Sequence, residues 1–186
     1  TELIVIMDWN HTNLLTTGVS VHSLAFYNST WNSLQYQWSS NILKVRLFKH
    51  IVFHLCRFQS LKAQRTSCLI FIESVNKVIF QNIVIYNITG SLLNASRSSE
   101  VYLNNITFYK RITEPYFGYE TATFNMSFIR KFILENSYFV SNDIDSISFY
   151  GSISAVVIRR SMFVGCKGLF SFDVHITESF SAILIY

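Results

Sequence analysis

Lys77-Val78-Ile79-Phe80-Gln81-Asn82-Ile83-Val84-Ile85 decides how this chain is read. Val78 and Phe80 fall on one side of a two-residue alternation, Asn82 interrupts it, and Ile83 and Ile85 resume it. A period of two marks a strand with one buried face. β-Branched and aromatic residues suit such a pleated surface. Asn tolerates the left-handed backbone of a sharp corner. The stretch therefore predicts a strand, an Asn bend and a second strand. The same pattern returns at Val101-x-Leu103-x-Asn105 with Ile106-x-Phe108, and at Phe132-x-Leu134-x-Asn136 with Tyr138-Phe139. Leu24-x-Phe26-x-Asn28 is a fourth copy, weaker downstream.

Taking Ile4, Leu24, Val45, Val78, Val101, Phe132, Val156 and Ile183 as unit starts, the spacings are 20, 21, 33, 23, 31, 24 and 27 residues. Repeats in this range belong to solenoids. Helical repeats hold nearly fixed lengths, whereas a β-coil can swell its loops outward without disturbing the stack. A further strand precedes several units: Cys68–Ile72, Ala122–Met126, Ser146–Tyr150 and Leu169–Asp173. Three strands per coil, stacked in parallel about 4.8 Å apart, predict an all-β, right-handed parallel β-helix of seven to eight coils over residues 1–186 as a single domain. The competing architecture is a β-sandwich, which usually carries more Gly and Pro turns than this chain with its 6 Gly and 1 Pro. Asn82, Asn105 and Asn136 are expected to form a side-chain ladder from coil to coil, with Arg160 ending it.

These motifs resemble the pectate-lyase-like family of right-handed β-helices, whose coils share the strand, Asn bend and strand. The resemblance covers residues 40–186, and 1–40 more loosely. It implies a fold, since such folds host many functions. Enzymes of this kind use acidic clusters, a calcium site or an Arg or Lys base. None of the hydrolase-type signatures (Asn-Thr-Asp, Asp-Asp, Gly-His-Gly, Arg-Ile-Lys) occurs in this chain. No catalytic residue, metal ligand or cofactor is therefore assigned. Asp143 and Asp145 are the one close Asp pair, better read as a solvated loop than as a cation site. His50 and His54 have a zinc spacing for a helix, but they lie in strand-like sequence and read as surface or edge histidines.

Composition fits a long stacked core: 50% of residues are apolar, 16% aromatic and only 14% charged. No apolar run approaches the ~18 residues of a membrane-spanning helix. The net charge of +4 is dispersed over small pairs such as Lys110-Arg111, Arg130-Lys131 and Arg159-Arg160. A nucleic-acid binder would instead show a basic stripe with interleaved aromatics. Trp9, Trp31 and Trp38, with Tyr27 and Tyr36, read as core-capping residues before they read as sugar platforms.

Six Asn-x-Ser/Thr sequons, roughly twice the chance number, point to a secreted or cell-surface glycoprotein. The expected order of use is Asn87, Asn94, Asn125, Asn10, then Asn28 and Asn105, the last two being bend residues whose side chains should be occupied inward. Cys56 and Cys68 flank an insertion that a disulfide would staple. Cys166 is either a buried thiol or an intermolecular partner. The chain stops in a strand at Ile183–Tyr186, so that either it continues or another copy stacks on it. The functional expectation is a non-catalytic structural subunit of an extracellular or cell-surface glycoprotein assembly, such as a filament formed by end-to-end stacking. A carbohydrate-active or polysaccharide-binding module and an adhesin-type stalk are the alternatives.

Overall fold

The structure is a computed structural model and describes residues 23–32, 43–62, 68–109, 122–140, 147–165, 170–173 and 183–185. Its strands follow a recurring order. The first pair is β1 (Ser23–Tyr27) and β2 (Thr30–Asn32). Next come β3 (Leu43–Arg46), β4 (His50–His54) and β5 (Arg57–Lys62). Then follow β6 (Cys68–Glu73) and the long β7 (Lys77–Thr89), and β8 (Ser91–Ser96) with the long β9 (Glu100–Tyr109). Two further triplets are β10 (Phe124–Ser127), β11 (Lys131–Glu135), β12 (Tyr138–Val140), and β13 (Ile147–Tyr150), β14 (Ala155–Arg159), β15 (Met162–Val164). β16 (Phe170–Asp173) and β17 (Ile183–Ile185) complete the series.

These strands stack in parallel columns, which makes the chain a β-solenoid. One column runs β1-β4-β7-β9-β11-β14-β17, and a second runs β3-β6-β8-β10-β13-β16. The third joins β2, β5, the latter parts of β7 and β9, β12 and β15. Fewer coils than the expected seven to eight show all three strands among the described residues. The register corrects one unit start. The first column aligns Leu24, Ile51, Val78, Val101, Phe132, Val156 and Ile183, so Ile51 belongs in it. Val45 pairs with Ile72 in the second column instead. Val45-x-Leu47 imitates the repeat, but the backbone turns a corner at Leu47, where φ is 60°. The genuine copy, Ile51-x-Phe53-x-Leu55, lacks its Asn.

Alternate residues of the first and third columns, with apolar residues of β3, β6, β8, β10 and β13 from the second, point inward and fuse into one core. Phe26, Phe53 and Phe80 stack ring on ring, with centroids 4.8 and 4.5 Å apart, which is the strand spacing itself. In the third column Trp31, Phe58, Ile85, Phe108 and Phe139 fill the core. Trp31 is thus a core residue, in contact with Phe26 and Phe58, while Trp9 and Trp38 lie outside the described residues.

Corners recur at fixed register. The bend after the first column takes positive φ at Asn28, Leu55, Asn82, Asn105, Asn136 and Arg160. A second left-handed column, absent from the sequence reading, lies between the second-column and first-column strands at Leu47, Ser74, Arg97, Phe128 and Gly151. There the amides of Leu47, Ser74, Arg97 and Phe128 donate to the carbonyls of Glu73, Ser96, Ser127 and Tyr150 in the next coil, at 3.0–3.1 Å. The bend after the first column makes the same kind of bond, from the amides of Asn28, Leu55 and Asn136 to the carbonyls of His54, Gln81 and Arg159 at 3.0–3.2 Å, so backbone bonds between coils hold both corners.

Candidate functional site

The three outer strand faces are where this solenoid presents chemistry, and their residue content differs. On the first column the outward side chains include His50, His54, Lys77, Tyr102, Glu135 and Arg159. Glu135, only 8% exposed although it stands on an outer face, is the centre of a cluster. Its Oε2 accepts from the Tyr102 hydroxyl at 3.1 Å, and its Oε1 accepts from Nε and Nη2 of Arg159. Burial and the neighbouring Glu135 carboxylate both push the Tyr102 phenol above its ordinary range. Lys77 pairs with Glu100 at 3.6 Å. On the second column Glu73 binds Arg46 at 2.7 Å and Arg97 at 3.5 Å. Lys44 and Arg46 both stand over the Phe71 ring. Glu73, Glu100 and Glu135 each have cationic partners, so these carboxylates tie neighbouring coils together.

His50 and His54 sit on one face of β4, about 13 Å apart by strand rise. That separation prevents them from sharing a metal ion. His50 Nδ1 lies 3.4 Å from Ser23 Oγ, and His54 meets the Tyr27 ring edge to face. Among the described residues no group of three His, Cys, Asp or Glu gathers as a metal site. Asp143 and Asp145 lie outside the described residues, as do Asn10 and Cys166.

The bend asparagines do bond from coil to coil, but not as one inward ladder. Asn105 Nδ2 donates to Asn82 Oδ1 at 2.7 Å, whereas Asn136 Nδ2 donates to Asn104 Oδ1 at 2.9 Å. Asn28, Asn105 and Asn136 are exposed. The core-facing place at this corner belongs to the next residue, held by Ser29, Cys56, Ile83, Ile106, Ser137 and Ser161 in successive coils. Ser29, Cys56, Ser137 and Ser161 turn back to bond the carbonyl two residues earlier. Asn-Ser at residues 28–29 and 136–137 carries that signal in the sequence.

This geometry also corrects the disulfide and shows how exposed each described sequon is. Cys56 and Cys68 are buried thiols, not a disulfide. Cys56 occupies a serine-like place, donating to Phe26 O at 3.4 Å. Burial pushes the Cys68 thiol up to about 12. Asn94 and Asn125, expected near strand ends or loops, lie half-buried inside β8 and β10 as direct register partners. The Asn125 amide donates to Ser91 Oγ at 2.7 Å and Ala122 O at 3.2 Å. Asn87 is a half-buried left-handed residue within β7. Asn28 and Asn105, placed last in the expected order, are the exposed sequons among the described residues.

The third outer face is different again. Its first two coils present Thr30, Asn32, Arg57 and Gln59. In the next four the outward pairs are Val84 and Tyr86, Thr107 and Tyr109, Tyr138 and Val140, then Met162 and Val164. None of these eight is charged. The rings of Tyr86 and Tyr109 meet edge to face at 6.4 Å.

No family model, curated protein or solved structure matches this chain.

Proposed function

We propose that this chain is a non-catalytic structural subunit of an extracellular or cell-surface glycoprotein assembly, built by end-to-end stacking of solenoids. The observation that carries this reading is the uniform register of the first column. Each strand meets the next in parallel without a slip from Leu24 to Ile183. Every coil therefore offers its neighbour the same template of amides, carbonyls and apolar rows. A strand edge of that kind pairs with a further copy as readily as with its own chain. Engagement of Glu73, Glu100 and Glu135 in ion pairs supports a structural use of the described carboxylates. The exposed sequons at Asn28 and Asn105 support a secreted setting. Kinship with the pectate-lyase-like β-helices is part of the same proposal, supported by the strand, Asn bend and strand order.

Electron microscopy of the native, glycosylated material tests it. Stacking predicts fibres with a regular axial repeat of roughly 34 Å or more, the rise of the seven strands of the first column. Dispersed particles of single-chain mass at all concentrations would remove the assembly reading.

A further inference from the structure

Cations that are dispersed along the sequence gather along one edge of the solenoid. This edge is the corner between the second and first columns, where the described residues run unbroken through five coils. Backbone bonds align its turns, placing Leu47, Ser74, Arg97, Phe128 and Gly151 in one row. The amides of Lys77, Glu100, Lys131 and Ala155 donate to the carbonyls of Lys49, Asn76, Ser99 and Arg130, so Lys49 and Arg130 share a second row. Glu73 is engaged by Arg46 and Arg97, and Glu100 by Lys77. Lys49, Arg130 and Lys131 are exposed and have no ion pair among the described residues. The same edge carries apolar side chains that the core does not use. Leu47 is 80% exposed and Phe128 55%, three coils or about 14 Å apart. Tyr150, 43% exposed, lies on the coil next to Phe128.

We propose that this edge docks on a lipid bilayer rich in anionic headgroups. Two separate features select that occupant. The unpaired Lys49, Arg130 and Lys131 are drawn to a negative surface, each being worth about a fivefold change in binding. Leu47 and Phe128 gain nothing from a soluble polyanion, but they leave water when pressed into the boundary between headgroups and acyl chains. Tyr150 with the flanking Lys and Arg side chains also matches the composition of membrane interfaces. No groove is needed, because a straight edge meets a flat surface along its length. With three unpaired cations and two apolar contacts, the attachment is peripheral and reversible. This inference does not rest on end-to-end stacking, which uses strand edges at the two ends of the array.

Flotation of the full chain with vesicles tests the docking, because fibres without lipid do not float. Vesicles of phosphatidylcholine with about one-third phosphatidylserine should carry the chain upward at low salt. Phosphatidylcholine alone should not, and about 0.5 M salt should weaken the binding. Arg130→Gln with Lys131→Gln should weaken it at least about tenfold. Arg57→Gln with Arg160→Gln, on the third face and the bend after the first column, removes the same charge and should leave binding nearly unchanged. Leu47→Asn and Phe128→Asn keep the charge and suit the left-handed backbone, and each should weaken binding roughly threefold or more. Circular dichroism of each variant checks that the fold is kept, and Leu47→Asn carries the test if Phe128→Asn does not fold. A chain that does not float with the anionic vesicles would overturn the proposal, whether or not it forms fibres. An equal loss in the Arg57 and Arg160 variant would overturn it as well, by reducing the effect to net charge. Binding that responds to Arg130 and Lys131 but not to Leu47 or Phe128 would assign the edge to a soluble polyanion instead.

Discussion

At the scale of single residues, the corners decide what this fold costs. Non-glycine residues in the left-handed region lose about 1–2 kcal/mol each relative to ordinary backbone. Asn28, Asn82, Asn105 and Asn136 reduce that penalty because Asn tolerates the conformation, whereas Leu55 at φ 55° does not. Leu55 is also exposed, so its side chain contributes little to the core. Leu55→Asn should therefore stabilise the chain by about 0.5–1 kcal/mol, read as a higher melting temperature. Gly151 is the opposite case. Its φ is 69°, and an added Cβ would come within 2.8 Å of the Phe128 ring. Gly151→Ala should destabilise by about 1–3 kcal/mol, and Phe128→Ala in the same chain should recover the steric part. Tyr102 supplies a pH dependence. Its phenol is raised by burial and by Glu135. Its contribution is therefore complete below the unfolded phenol value, near pH 10, and is lost as pH rises through the folded one. Urea melts from neutral to alkaline pH should show this loss, and Tyr102→Phe should flatten that part of the profile.

At the scale of elements, a strand here is stabilised by its column more than by its own sequence. Phe53 packs between Phe26 and Phe80 and touches Phe58 from the third column. It therefore ties three coils and two columns at one point. Phe53→Ala should cost about 3–5 kcal/mol, measured by denaturant unfolding, because neighbouring coils held by backbone ladders cannot collapse into the void. The thiols test the corner after the first column. Cys56 is buried and hydrogen-bonded at that corner, and burial raises both Cys56 and Cys68 above the ordinary thiol value. At pH 8 both should resist alkylation in the folded chain and react on unfolding, as read by peptide mass mapping. Rapid labelling of Cys56 in the native state would show that this corner opens.

At the scale of the molecule, each coil contacts mainly its two neighbours, and the columns behave as a nearly one-dimensional array. End-to-end stacking, as proposed above, would extend that array through its strand edges and common register.

The sequence by itself determined the class of fold, because a two-residue alternation broken by Asn has few packed solutions other than stacked coils. It also marked the first-column bend, since Asn82, Asn105 and Asn136 carry that conformational preference in their own chemistry. The unit at Ile51 was illegible because Leu55 replaces the Asn, and Val45 imitated it. The second left-handed column was hidden because its residues, as different as Leu47, Arg97 and Phe128, share no conformational preference, and the backbone bonds between coils that hold both corners leave no mark on side chains. Only the tertiary structure decided which sequons are exposed, that Cys56 is a hydrogen-bonded corner thiol, and that Glu135 gathers Tyr102 and Arg159. Those facts depend on which residue of another coil lies across the ladder. Because insertions vary coil length from 23 to 31 residues within the aligned column Val78, Val101, Phe132 and Val156, that register cannot be counted along the chain.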